Sequence, residues 1–111
     1  MSYYFYDDPY ISSIVPFAGP TPPANWMKCE GQILQIDDYL PLYSLIENTY
    51  GGDGIKTFAL PDLRNKVPIG VDATHPIGST GMLGNSDGAA LPLTGISYII
   101  AVNGVYPPRA D

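Results

Sequence analysis

The sequence predicts an α+β fold that is mostly β, with short strands, one helix at about residues 38–50 and long irregular loops. Three observations carry that prediction. β-prone runs such as I-S-S-I-V-P-F (11–17) and S-Y-I-I-A-V (97–102) are short and bounded by turn-forming residues. A single stretch shows apolar residues at three- and four-residue spacing. With 12 glycines and 12 prolines among 111 residues, little of the chain can lie in long regular elements.

The elements follow in chain order. Residues 1–10, M-S-Y-Y-F-Y-D-D-P-Y, read as an extended N-terminal arm, with residues 11–111 forming the domain. In an extended arm Tyr4 and Tyr6 share one face and Tyr3 and Phe5 the other, so the arm is apolar on both and needs a surface to lie on. Pro16 restricts the first β-run to a sheet edge or a bulge. After the turn segment A-G-P-T-P-P-A-N, the stretch W-M-K-C-E-G-Q-I-L-Q-I (26–36) reads as two short strands around Glu30-Gly31, with Ile33 and Leu34 as core candidates.

The helix is placed by its stripe: Tyr39, Leu42, Tyr43, Ile46 and Tyr50. Asp37 or Asp38 is the expected N-cap, Pro41 falls in the tolerant first turn, and Gly51 is the expected left-handed stop. Y-G-G-D-G (50–54) is a sharp loop in which Gly51, Gly52 and Gly54 supply positive φ. T-F-A-L-P-D-L-R-N-K-V-P-I-G-V (57–71) reads as a strand, a break at Pro61-Asp62 and another strand. Residues 72–95 form an excursion rich in Gly, Ser, Thr, Asn and Asp without a period, and such loops are usually functional or unusually held. The final run, 97–109, is a strand with Gly104 and a proline stop.

Composition narrows the function. The charged fraction is 14%, well below the usual ~25%, so much of the surface is uncharged. Net charge is −6 and the five cations, Lys28, Lys56, Arg64, Lys66 and Arg109, are scattered, which argues against nucleic acid. No apolar run approaches the ~20 residues of a membrane span, and the N-terminus has no recognisable signal-peptide pattern. The lone cysteine, Cys29, cannot form an internal disulfide; it is a plain buried thiol or a reactive or intermolecular one.

No residue set supports catalysis. The only histidine, His75, lies far in sequence from Cys29, and no nucleophile elbow is present. Y-G-G-D-G lacks the lysine and Ser/Thr of a phosphate-binding loop and follows a helix instead of opening one. Asp37, Asp38, Asp53, Asp62 and Asp72 are not spaced as a calcium loop requires. The chain is therefore read as a non-enzyme with no cofactor and no metal.

Several motifs in order carry a resemblance: W26-x-x-C29-x-G31, L-P-L-Y-S-L-I (40–46), T-Y-G-G-D-G (49–54), T-F-A-L-P-D-L-R (57–64) and V67-P-I-G70. Together they resemble the phage tail collar domain, found in phage short tail fibres and in bacterial microcystin-dependent proteins. P-F-A-G (16–19) and the terminal Y98-I-I-A-V-N-G-V-Y-P-P-R109 fit the same pattern, so the resemblance covers about residues 9–71 and 96–109. It implies a small, β-rich, usually homotrimeric module of a fibre. It also implies structural roles for Trp26, Cys29, Gly31, Tyr50, Gly51, Gly52, Asp53, Gly54, Phe58, Leu60, Pro61, Asp62, Leu63 and Arg64. Phe58 and Leu60 are expected inside with Leu63, and Asp62 with Arg64 at the turn. The paired metal-holding histidines of the phage fibre tip have no counterpart, since His75 stands alone.

The expected function is that of a structural, self-assembling subunit of an extracellular or phage-tail-like fibre, built by β-contacts between copies. The alternative is a trimeric adhesin that binds a cell-surface glycan or receptor. Tyr3, Tyr4, Phe5, Tyr6, Tyr98, Ile100, Val102 and Tyr106 are the expected assembly residues, since strand addition to an exposed edge can link subunits.

Overall fold

The structure, a computed structural model, describes residues 8–82 and 90–108. Its organising element is the C-terminal run S-Y-I-I-A. This forms β5 (Ser97–Ala101), the central strand of a three-stranded antiparallel sheet between β1 (Ile14–Phe17) and β2 (Trp26–Lys28). The registers pair Ile14 with Ile100 and Met27 with Ile100, so the two neighbours grip β5 along both edges. Both faces are covered too. Ile99 and Ala101 join Trp26 in one cluster, while Ile100 and the following Val102 enter the main core. A strand buried on both faces carries a continuous apolar run, which is why I-I-A-V shows no polar alternation.

β1 is an edge strand, as Pro16 requires. Ala101 donates its N–H to the Ser13 carbonyl (2.9 Å), and continuing that register directs Val15 toward β5 and Pro16 away from it. The missing proline donor therefore faces outward, where no ladder bond is lost. At the base of the N-terminal segment, Ile11 donates to Val105 (2.9 Å) and Val105 to Pro9 (2.8 Å), which ties Pro9–Ile11 to the chain beyond β5.

The stretch between Trp26 and Ile36 does contain two strands, but they serve different sheets. β2 pairs with β5, whereas β3 (Ile33–Gln35) pairs antiparallel with β4 (Thr57–Ala59). A 3-10 turn (Ile36–Asp38) follows β3 and leads into α1 (Leu40–Ile46). Leu42 is fully buried, and Tyr39, Tyr43 and Ile46 pack beside it on the core. Pro41 occupies the first turn as expected.

Three expectations need correction. The helix is shorter than 38–50, because Glu47 adopts φ 52° and the chain folds back through turns at Thr49 and Gly51. That reversal brings the Gly51 carbonyl to the Ala59 N–H, which it accepts at 3.0 Å, and so ties the returning chain to β4. Asp37 and Asp38 are not helix caps. They sit in the 3-10 turn, and the cap position belongs to Tyr39, which makes no side-chain capping bond. Finally, no strand follows Pro61-Asp62: residues 64–71 are exposed and belong to neither sheet.

The main core joins Ile11, Cys29, Ile36, Leu42, Phe58, Leu60, Ile100 and Val102. Phe58 lies at its centre, fully buried, edge-on to the Tyr43 ring at 5.4 Å between centroids. Phe58→Ala is expected to cost about 3–5 kcal/mol and Leu42→Ala about 2–5 kcal/mol in urea unfolding. Leu93→Ala, at a position 90% exposed, is expected to stay within about 0.5 kcal/mol of the parent.

Candidate assembly site

The surface is set by two turns that fix where the chain leaves the core. In the first, the Asp53 carboxylate Oδ1 accepts the backbone N–H groups of Ile55 (2.8 Å), Lys56 (2.8 Å) and Thr57 (2.9 Å). Those bonds hold its pKa well below the ordinary carboxylate range, the Thr57 bond contributing most. The Asp53 N–H in turn donates to Thr57 Oγ1 (3.1 Å), and the Tyr43 hydroxyl donates to the Gly54 carbonyl (3.2 Å). Gly52, at φ 89°, passes so close to β4 that a Cβ there would meet the Phe58 nitrogen at 2.7 Å. Only glycine fits.

The second turn links the loop after β2 to L-P-D-L-R. Gly31, at φ 74°, donates to the Pro61 carbonyl (3.1 Å), and Leu63 donates to Cys29 (2.9 Å). Asp62 binds Arg64 through both carboxylate oxygens: Nε donates to Oδ1 (2.9 Å) and Nη2 to Oδ2 (2.8 Å), while the Arg64 N–H also donates to Oδ1 (3.1 Å). The guanidinium bonds come first among the causes that hold the Asp62 carboxyl well below its usual range. Lys66 closes the turn by donating to the Asp62 carbonyl (3.0 Å).

Cys29 is 3% exposed, and burial pushes its thiol up to about 12, which favours the protonated form at neutral pH. It lines a cleft of about 100 Å³ together with Lys28, Leu63, Arg64, Ile96 and Tyr98. Organic ligands generally need about 300 Å³ or more. His75 bonds within its own exposed turn, its N–H donating to Asp72 Oδ1 at 2.8 Å. Leu60 and Pro61 are buried and Tyr50 and Leu63 half-buried, while Trp26 is buried in the separate cluster with Ile99 and Ala101.

The expected assembly residues separate into three groups. Tyr3, Tyr4, Phe5 and Tyr6 lie outside the described residues. Ile100 and Val102 are 1% and 3% exposed, so their side chains are core. β5 lies between two strands and has no free edge to offer a partner. Tyr98 is half-buried against the core, and Tyr106 is half-exposed with its hydroxyl 2.8 Å from Ser44 Oγ.

What sequence reasoning missed is how early the excursion begins. Every described residue from 64 to 82 and from 90 to 96 is exposed, including Val67, Ile69, Val71, Ile77, Met82, Leu91 and Leu93. The available signal was the absence of any apolar partner for V-P-I-G-V once β3 and β4 had paired. Single exposed apolar residues are ordinary; a segment studded with them is not.

Two outcomes are expected. Asp53 and Asp62 titrate below their unfolded values, so their contribution to stability is complete above about pH 5 and is lost as pH falls through and below 4. Asp53→Ala and Asp62→Ala should each lower the urea midpoint at pH 7 and reduce the difference between pH 7 and pH 3. A maleimide should leave Cys29 unmodified in the native protein and label it in urea; fast native labelling would contradict the buried, neutral thiol.

Among the described residues no helix is long and apolar enough to cross a membrane. No curated protein and no solved structure matches the chain. The family described as Phage Tail Collar Domain matches residues 12–68, just over half of the sequence, from the start of the β1 segment through both turns. The motif glycines, the buried Phe58 and Leu60, and the Asp62–Arg64 pair all lie within that span, and the chain belongs to the phage tail collar domain family.

Proposed function

We propose that this chain is a structural subunit that assembles with copies of itself into an extracellular or virion-associated fibre. The family is a tail-fibre type of structural domain, which supports the class of function. Self-assembly is supported by a single observation, the surplus of surface. A compact chain of this length has a radius of gyration of roughly 13 Å and an accessible surface of roughly 6,000 Å². Here the values are 15.5 Å and 8126 Å². The surplus of roughly 2,000 Å² on one chain exceeds the roughly 800 Å² that each partner contributes to a standard interface.

The exposed excursion accounts for where that surplus is apolar. Met82, Leu91 and Leu93 are 95%, 84% and 90% exposed, and a Cβ added at Gly70, Gly81 or Gly95 would meet nothing within 4 Å. A segment that touches so little of its own domain gains its packing from another chain. Few charges oppose such a contact, since 14% of the sequence is charged and several of those groups are already used in turns.

Light scattering after size exclusion, across a concentration series, is expected to show discrete multimers, with regular particles or fibres by negative stain. A monomer throughout, at concentrations up to about 100 μM (a dissociation constant weaker than any typical stable assembly), would overturn the reading. Leu91→Lys with Leu93→Lys should leave the urea midpoint of the monomer within about 0.5 kcal/mol of stability and shift the equilibrium toward monomer. Deleting residues 2–8 tests the aromatic arm separately: a folded but unassembled product is expected, and normal multimers would remove the arm from the interface.

A further inference from the structure

Strand edges are where β-proteins meet, and the registers show which groups each outer edge presents. On β4, Thr57 donates to Asp53 Oδ1 and accepts from Gly54, and Ala59 donates to Gly51, so that edge is filled from within. On β2, Trp26 donates to Pro23, and the Lys28 carbonyl accepts from the Gln32 side chain (2.8 Å). On β1, Pro16 faces outward without a donor. β3 differs. Leu60 donates to Gln32 and Ile36 to Lys56, which places Leu34 opposite Phe58 as the bonded pair. The N–H and C=O groups of Ile33 and the N–H of Gln35 therefore point away from β4 with no hydrogen-bond partner among the described residues, while the Gln35 carbonyl opens the 3-10 turn Ile36–Asp38. Ile33 is 56% exposed, and no proline, lysine or bulge protects the strand.

A second orphan lies in the same chain. Val67, Ile69 and Val71 alternate with Pro68 and Gly70 in a strand-like period of two, yet the segment joins no sheet and is exposed throughout. If it pairs along one edge, residues 67, 69 and 71 turn their backbone groups to the partner and Pro68 turns its missing donor away. The flanks also match in charge. Exposed Asp37 and Asp38 follow β3, and exposed Arg64 and Lys66 precede Val67.

We propose that residues 67–71 of one copy add antiparallel to the outer edge of β3 in the next, Val67 opposite Gln35 and Ile69 opposite Ile33. This register gives three backbone hydrogen bonds, sets Ile69 beside the exposed Ile33 and runs Lys66 and Arg64 alongside Asp37 and Asp38. It rests on the self-assembly reading and names the contact that reading requires. Donor segment and acceptor edge are unlike surfaces, so the contact is head-to-tail and propagates unless its rotation closes a ring.

Gln35→Pro tests the edge without disturbing the fold. Gln35 has φ −80°, within the range of a proline ring, and its N–H faces outward, so the β3–β4 ladder is kept. The variant should retain the parent's urea midpoint as a monomer and self-associate at least about tenfold more weakly, by loss of one hydrogen bond and by the ring's bulk. Assembly at the parent's concentration would overturn the proposal while leaving self-assembly intact; a parent that never assembles would remove both. A second test does not depend on that variant. Gln35→Cys and Val67→Cys proteins are mixed and treated with a short bis-maleimide, the parent with its buried Cys29 serving as the blank. A cross-linked dimer in the mixture and in neither protein alone is expected. Cross-linking of Gln35→Cys to Phe5→Cys in place of Val67→Cys would give the edge to the N-terminal arm and overturn the register.

Discussion

The fold depends on one strand being held on four sides. β5 is gripped at both edges by β1 and β2 and covered on both faces, and its residues from Ile99 to Ala101 are at most 1% exposed. β1 and β2 lie near the N-terminus and β5 near the C-terminus, so the three-stranded sheet exists only when the chain returns after about residue 96. The described residues between β4 and β5 join neither sheet, and the stretch is closed by that strand. Closure entropy grows only logarithmically with length, so the excursion can be long without unseating the sheet. The excursion's composition is correspondingly free of the core's demands.

Charge is used locally throughout the domain. Asp53 gathers three N–H donors, Asp62 and Arg64 close one turn, and Asp72 closes another by accepting from Thr74 and His75. Exposed ion pairs contribute little to global stability, and their service here is to set backbone direction at the exits from the core. The two collar-motif turns aim the chain outward at residue 64, and the elementless apolar segment begins there. Motif and excursion are consecutive parts of one construction.

Much of the fold was legible in the sequence because it is encoded locally. Glycines at positive φ and Pro16 at an edge each act within a few residues. The long-range pairings were not legible in the same way. W-M-K-C-E-G-Q-I-L-Q-I looks like neighbouring strands, and nothing local says that β2 and β3 belong to different sheets. Helix α1 stops at Ile46, where Glu47 turns to φ 52°, ahead of the end of its favourable stripe. V-P-I-G-V has a strand's period, but the described residues give it no partner strand. For the assembly surface, tyrosine content drew attention to Tyr98 and its neighbours, while the side chains of Ile100 and Val102 were already committed to the core.

The placement of sulfur bears on how such a subunit endures outside a cell. Cys29 is 3% exposed beside the L-P-D-L-R turn, and burial raises its pKa, so an oxidising medium finds little thiolate there to couple. Met82 is in the opposite situation, 95% exposed in the apolar excursion. Oxidation there turns a flexible apolar side chain into a polar sulfoxide. In the free chain, chemical ageing would therefore begin in the very segment that the proposed assembly covers, with the core left intact.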